Sequence, residues 1–232
     1  MATRRTYGDG CAIARGLDVV GERWALLVVR ELLLGPKRYM DLERGLPNAS
    51  PNVLSDRLRE LERAGIVRRR KLPPPAGSRV YELTAWGHEL EPIVVAIGHW
   101  AARSPTPPSA APIRSADSVI LALRARFNPD AAHRLRAEYE LRLGEDRFRI
   151  EVADDQLAIT RGDADHPDAI ICSDNDTIAA ILWAGGSLAE AQHSGTITTE
   201  GDEGAVERLL SLFPMPRLAG PDALRLSPTG EE

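Results

Sequence analysis

The sequence is poor in cysteine, has almost no lysine and contains no long apolar run. Each shortage excludes something. Two cysteines, Cys11 and Cys172, cannot build a disulfide framework, and neither has a metal-ligand neighbour at useful spacing. No segment approaches about 18 uninterrupted apolar residues, which excludes a membrane-spanning helix and makes a membrane partner unexpected. The opening residues, MATRRTYGDG, lack the apolar core of a secretory signal, so a bacterial-type cytoplasm is the expected location. Lys37 and Lys71 are the only lysines among 29 basic residues, an imbalance that reads as the codon bias of a GC-rich genome. His88, His99, His133, His166 and His193 are scattered. With no paired nucleophile, no H-E-x-x-H and no phosphate-cradling glycine loop, neither an enzyme nor a cofactor is expected. The turn Asp163-Ala164-Asp165-His166 offers three metal ligands without a fourth, and a solvated acidic turn explains it better.

What is present falls into two halves. Residues 1–103 carry 17 Lys+Arg against 12 Asp+Glu, whereas residues 104–232 carry 12 against 22. A basic half joined to an acidic half implies two domains with different partners. Between them SPTPPSAAP, residues 104–112, has four prolines and no charge, as a semi-rigid linker has. The expected division is therefore 1–103, a linker at 104–112, and 113–232.

In the first half Ile13, Leu17, Val20 and Trp24 fall at helical spacing, so a helix starts near Cys11. RWALLVVRELLLG is apolar almost all round and stops at Gly35-Pro36, which predicts a buried helix. A short helix, RYMDLERGL, follows. Ser50 is placed to cap the next one, with Pro51 at its first position. There Leu54, Leu58 and Leu61 form one apolar stripe, while Asn52, Asp56, Arg59 and Arg63 point away from it and Ser55 lies on the flank. IVRRRKL and RVYELT then read as two strands around PPPAGS, a hairpin whose tip carries Arg79. Helix, short helix, helix and basic hairpin is the winged helix-turn-helix order. One helix fits the major groove, where short polar side chains reach base edges, and the ribbon straddles phosphates. Downstream, Trp86, Leu90, Ile93, Ile97 and Trp100 are spaced like a heptad seam, which argues for a homodimer. Pro92 interrupts it, since proline inside a helix costs about 3 kcal/mol.

The run from CAIARGLDVVGERW through LSDRLRELERAGIVRRR, with YELTAWGHELEPIVVAIGHW downstream, resembles the HxlR-type family of bacterial transcription regulators. The resemblance covers roughly residues 8–103. It implies a homodimer on double-stranded DNA, with residues 50–63 as recognition helix and residues 68–84 as wing. Ser50, Asn52, Ser55 and Arg59 are then expected at base edges, and Arg57, Arg68, Arg70 and Arg79 on phosphates, with Asp56 either orienting Arg59 or excluding wrong bases. A symmetric dimer implies a pseudo-palindromic operator. One departure stands out: Cys11 is followed by Ala12, where the family usually has proline.

The second half alternates apolar and polar residues over AEYELRLG, FRIEVAD and QLAITRG, an antiparallel meander that hides Tyr139, Leu141, Leu143, Phe148, Ile150 and Val152. AIICS is a further apolar run. ADSVILALRARF, DNDTIAAILWAGG and SLAEAQHSG read as helices, TITTEG as a strand, and a last helix follows Asp202. Sheet with segregated helices makes an α+β domain. This half, with Gly-x-Ile-x-x-x-Gly-Asp at residues 195–202, resembles the sterol carrier protein type-2-like domain. The resemblance implies an apolar tunnel for a hydrophobic small molecule, with Ile178, Ile181, Leu182, Trp183 and Leu188 as lining.

Three functions therefore compete. The first is a DNA-binding regulator whose second domain senses a ligand or supports assembly. The second is a thiol redox-sensing regulator acting through Cys11, near Arg15 and at a helix start, where a thiol pKa falls. The third is a carrier of lipid or another hydrophobic ligand with a passenger first half.

Overall fold

Helix breakers cut the first half into short helices that must share one core. The computed structural model describes residues 6–74, 77–104, 112–215 and 219, so residues 105–111 of the proline-rich linker lie outside the described residues. The chain forms two units, residues 1–94 and 95–232.

In the first unit α1 (Ala12–Val20), α2 (Ala25–Leu32), α3 (Tyr39–Gly45) and α4 (Pro51–Arg63) precede the strands β1 (Val67–Lys71) and β2 (Arg79–Leu83). Val28, Val29 and Leu32 of α2, Leu42 of α3, and the Leu54, Leu58 and Leu61 stripe of α4 are buried together. α4 starts where Ser50 Oγ accepts the Val53 N–H at 3.4 Å and Pro51 fills a position that needs no donor. It stops before Gly65, whose φ of +75° lets the chain reverse into β1. β1 and β2 are antiparallel, with Val67 opposite Leu83 and Lys71 opposite Arg79. Arg79 is thus the first residue of β2, and residues 75–76 of the turn are outside the described residues.

The ribbon is tied to the helices by backbone. Lys37 exchanges both main-chain hydrogen bonds with Tyr81, at 3.0 and 2.8 Å. Nearby, the fully buried Glu31 accepts from Arg30 Nη2 and Lys37 Nζ, each at 2.7 Å. This is a winged helix-turn-helix arrangement.

The downstream seam is not one helix. The chain forms α5 (Ala85–His88), breaks at Glu89–Leu90, and resumes as α6 (Glu91–Ala102). Pro92 falls in the first turn of α6, where a missing N–H costs nothing. Thr84 starts α5 as its N-cap, accepting the Gly87 N–H at 3.0 Å and donating to Gly65 O at 2.6 Å.

The second unit opens with α7 (Ala116–Arg126) and a 3-10 turn (Pro129–Ala132), then the meander β3 (Ala137–Leu143), β4 (Asp146–Ala153) and β5 (Gln156–Arg161). There follow β6 (Ala169–Ser173), α8 (Asn175–Trp183), α9 (Leu188–Ser194), β7 (Ile197–Gly201) and α10 (Glu203–Ser211). The sheet order is β5-β4-β3-β6-β7. Tyr139, Leu141, Leu143, Phe148, Ile150 and Val152 are all buried, as the alternation requires.

One pairing departs from the expected antiparallel sheet: β6 runs parallel to β3. The chain leaves β5 and crosses the polar face of the sheet to the free edge of β3. Along the way Gly162 N donates to Arg147 O at 2.9 Å, Ala164 N to Glu140 Oε2 at 2.9 Å, and Asp165 N to Glu138 Oε1 at 3.1 Å. Glu140 is 2% exposed as a result.

The residues of the Gly195–Asp202 pattern each have local work. Gly201, at φ +94°, passes so close to the Asp168 carbonyl that a side chain would collide with it. Asp202 caps α10 through the Gly204 N–H at 2.9 Å and pairs with Arg208 at 2.7 Å.

Candidate nucleic-acid interface

A helix can read a groove only through side chains that its own fold leaves outward. On α4, Asn52 and Arg59 are exposed. Arg59 is held by Asp56 one turn earlier. The other expected contacts are engaged. Ser50 is the helix cap. Ser55 is half-buried and donates to the Tyr39 hydroxyl at 3.3 Å, and that hydroxyl donates to Pro51 O at 2.9 Å. Tyr39 therefore links α3 to the start of α4, a role its neutral side chain did not advertise. Arg57 bends to Glu60 one turn on, and only 13% of its side chain is exposed. Its Nε is buried without a hydrogen-bond partner.

The wing divides its arginines by strand alternation. Arg69 lies on one face, paired with Glu62 at 3.1 Å and stacked over Tyr81 at 5.3 Å. That arrangement braces the ribbon against the end of α4. Arg68 and Arg70 occupy the other face and converge on Glu82, the residue opposite Arg68. Arg68 Nε lies 2.7 Å from Glu82 Oε1, and Arg70 Nε 2.8 Å from Oε2. The carboxylate is covered at 11% side-chain exposure, whereas the arginines keep 65% and 46%. Arg79 is exposed opposite Lys71 at the far end of the ribbon. One face of the wing thus carries two cations, Arg68 and Arg70, over one shielded anion, and the other carries Arg69, Lys71 and Arg79, so cations outnumber the anion as suits a phosphate partner. Glu82 and Tyr39 could have been suspected only from strand register and from the helix α3 partner.

The remaining expected residues sit elsewhere. Trp86 and Ile93 are exposed on α5 and α6, as are Ile97 and Trp100, while Leu90 is half-buried between the helices. α1 has no buried residue, and its Ile13 and Leu17 are exposed. A cavity of about 780 Å³ lies between α1 and α5, lined by Ala12, Val19, Val20, Trp86, Leu90 and Ile93 among others.

Cys11 is exposed at the N-cap of α1. The Ala14 and Ile13 N–H groups hold its thiol pKa below the ordinary value.

In the second unit Ile178 and Leu182 are buried one turn apart on α8, Ile181 and Trp183 are half-buried beside them, and Leu188 is half-buried on α9. Asp163 and Asp165 spend their carboxylates on Arg147 and Arg149 at 3.4 and 3.3 Å.

Comparison with known proteins gives two separate matches. Residues 19–107 match the HxlR-like helix-turn-helix family, and residues 115–219 match the alkyl sulfatase C-terminal family. The transcriptional regulator YvaP of Bacillus subtilis is 41% identical over 87 residues, which are 38% of this chain and 81% of that protein. The HTH-type transcriptional regulator YodB, also of Bacillus subtilis, is 35% identical over 84 residues, 36% of this chain and 75% of that one. A solved sec-alkylsulfatase, Pisa1 from Pseudomonas sp., superposes with a TM-score of 0.39 at 18% identity, covering 43% of this chain. This chain spans only 16% of that enzyme's length.

Proposed function

The chain belongs to the HxlR-like helix-turn-helix family, and we propose that it is a dimeric DNA-binding transcription regulator. The observation that carries the reading is that the wing exposes Arg68 and Arg70 while α4 exposes Asn52 and Arg59. Asn52 and Arg59 meet base edges, with Ser50 and Ser55 at the margin of that contact. Arg68, Arg70 and Arg79 meet phosphates. Arg57 braces Glu60 instead of reaching out.

Support for a homodimer is the apolar surface on α1, α5 and α6, Trp100 being 79% exposed. Two copies related by a two-fold axis place their α4 helices on half-sites about one DNA turn apart. The test is binding to DNA from the protein's own upstream region across a salt series, followed by footprinting. Steep salt dependence and a two-fold footprint are expected. A single asymmetric half-site sinks the dimer, and weak binding indifferent to sequence sinks the regulator.

A second reading is that the thiol of Cys11 senses oxidants, favoured by its exposure at the start of α1 and by the two N–H groups that lower its pKa. If Cys11→Ala retains an oxidant response in DNA binding, that role is dead. For the second unit we infer a hydrophobic small-molecule partner of the kind a sterol carrier protein type-2-like domain holds, against Ile178, Ile181, Leu182, Trp183 and Leu188. Titration of Trp183 fluorescence with a long-chain fatty acid tests it, and an unchanged spectrum removes it.

A further inference from the structure

Phosphate-binding arginines are long and flexible, and two of them on one strand face repel each other before DNA arrives. Arg68 and Arg70 are such a pair, two residues apart on one face of β1. Between them lies one carboxylate, Glu82, supplied across the ladder by β2. Each guanidinium approaches it most closely through Nε, at 2.7 and 2.8 Å, and the two side chains stay 65% and 46% exposed, open to another anion. The carboxylate is itself shielded, with 11% of its side chain exposed beneath two far more exposed cations.

We propose that Glu82 is a positioning residue for DNA binding: it holds the Arg68 and Arg70 guanidiniums at a fixed separation and presents them together to phosphates. The proposal rests on the DNA-binding reading above. Its logic is preorganisation. Fixing the two side chains in the free protein means that less rotamer freedom is lost on binding, and the shared anion offsets the repulsion between them.

The sign of one substitution separates this from plain electrostatics. A carboxylate that only repels phosphates gives tighter binding and a steeper salt dependence when Glu82→Gln removes its charge. Positioning gives the reverse, although the protein has become more basic. Losing one phosphate contact, at a slope of about 0.9 per contact, weakens binding about fivefold at about 0.15 M salt.

The experiment measures Kd of the full chain for a fluorescently labelled mixed-sequence DNA duplex, because phosphate contacts do not depend on sequence. Wild type, Glu82→Gln and Glu82→Asp are compared over a salt series, with circular dichroism confirming the fold. Glu82→Gln is expected to bind about fivefold more weakly, with a slope smaller by about one. Glu82→Asp keeps the charge but falls a methylene short of both guanidiniums, so it is expected to weaken binding too. It carries the test alone should Glu82→Gln not fold. Tighter binding by Glu82→Gln, or unchanged binding by Glu82→Asp, overturns the proposal. A wild-type protein that binds the duplex without salt dependence overturns the DNA reading instead.

Discussion

On β1 two arginines share one carboxylate; on β4 a single arginine meets three. Arg149 pairs with Glu138 at 2.9 Å, Glu151 at 2.5 Å and Asp165 at 3.3 Å. β1 is a run of four cations after Val67, whereas β4 alternates charged and apolar residues. Their chemistry differs because of the ratio of cations to anions around them. Where cations outnumber anions the guanidinium keeps unspent donors and an outward field, which suits a polyanionic partner. Where anions outnumber cations the guanidinium is ringed by carboxylates and its field is spent on them, and the arginine works as a rivet. The second unit uses the same device in its interior. Buried Arg126 donates to Leu182 O at 3.0 Å and Pro214 O at 2.6 Å, joining α7 to the end of α8, and burial pulls its pKa down.

If that contrast is right, removing an arginine should cost stability in one unit and DNA affinity in the other. The largest effect is expected from Arg126→Ala. It leaves two carbonyls without their charged donor in a buried site, and urea unfolding should show a loss of about 3 kcal/mol. A loss below about 1 kcal/mol would mean that water replaces the guanidinium, and the rivet description fails.

Glu140→Gln is expected to cost less, about 1–2 kcal/mol at neutral pH. Burial pushes the Glu140 pKa up, but the Ala164 N–H and the Arg142 guanidinium more than offset this and bring it below its ordinary 4.5. The ionised form therefore stabilises the fold above the unfolded-state pKa, and that contribution is lost as the pH falls through the lowered value. The gap between wild type and Glu140→Gln should close progressively below about pH 4. A gap constant with pH would show that the charge of Glu140 is not what matters.

Arg79→Ala should do the opposite. It should leave stability within about 0.5 kcal/mol of wild type. Binding to all DNA sequences should weaken alike, with a salt slope smaller by about one. An unchanged slope would remove Arg79 from the phosphate contacts.

Much of this fold was legible in the chain because it depends on short-range periodicity. The Leu54, Leu58 and Leu61 stripe, the Ser50-Pro51 helix start and the buried faces of β3 and β4 follow from spacing alone. What was not legible depends on who faces whom. Arg57 and Arg59 are both arginines on one helix, yet one bends to Glu60 and half-buries while the other stays out with Asp56. Ser55 meets Tyr39, 16 residues away, because α3 packs across the start of α4. Pro92 looked like damage to a long helix and is instead the start of a new one.

The sequence by itself determined the charge on each half, the helix-turn-helix order, the apolar stripe of α4 and the buried faces of β3 and β4. Local sterics and burial act over one or two turns, and residues close in the chain carry them. Only the tertiary structure decided that β6 would enter parallel to β3, that the crossing segment would bury Glu140, and that Glu82 would sit beneath Arg68 and Arg70. These are pairings between residues far apart in the chain. Charge–charge distance sets their strength, and composition holds no record of distance.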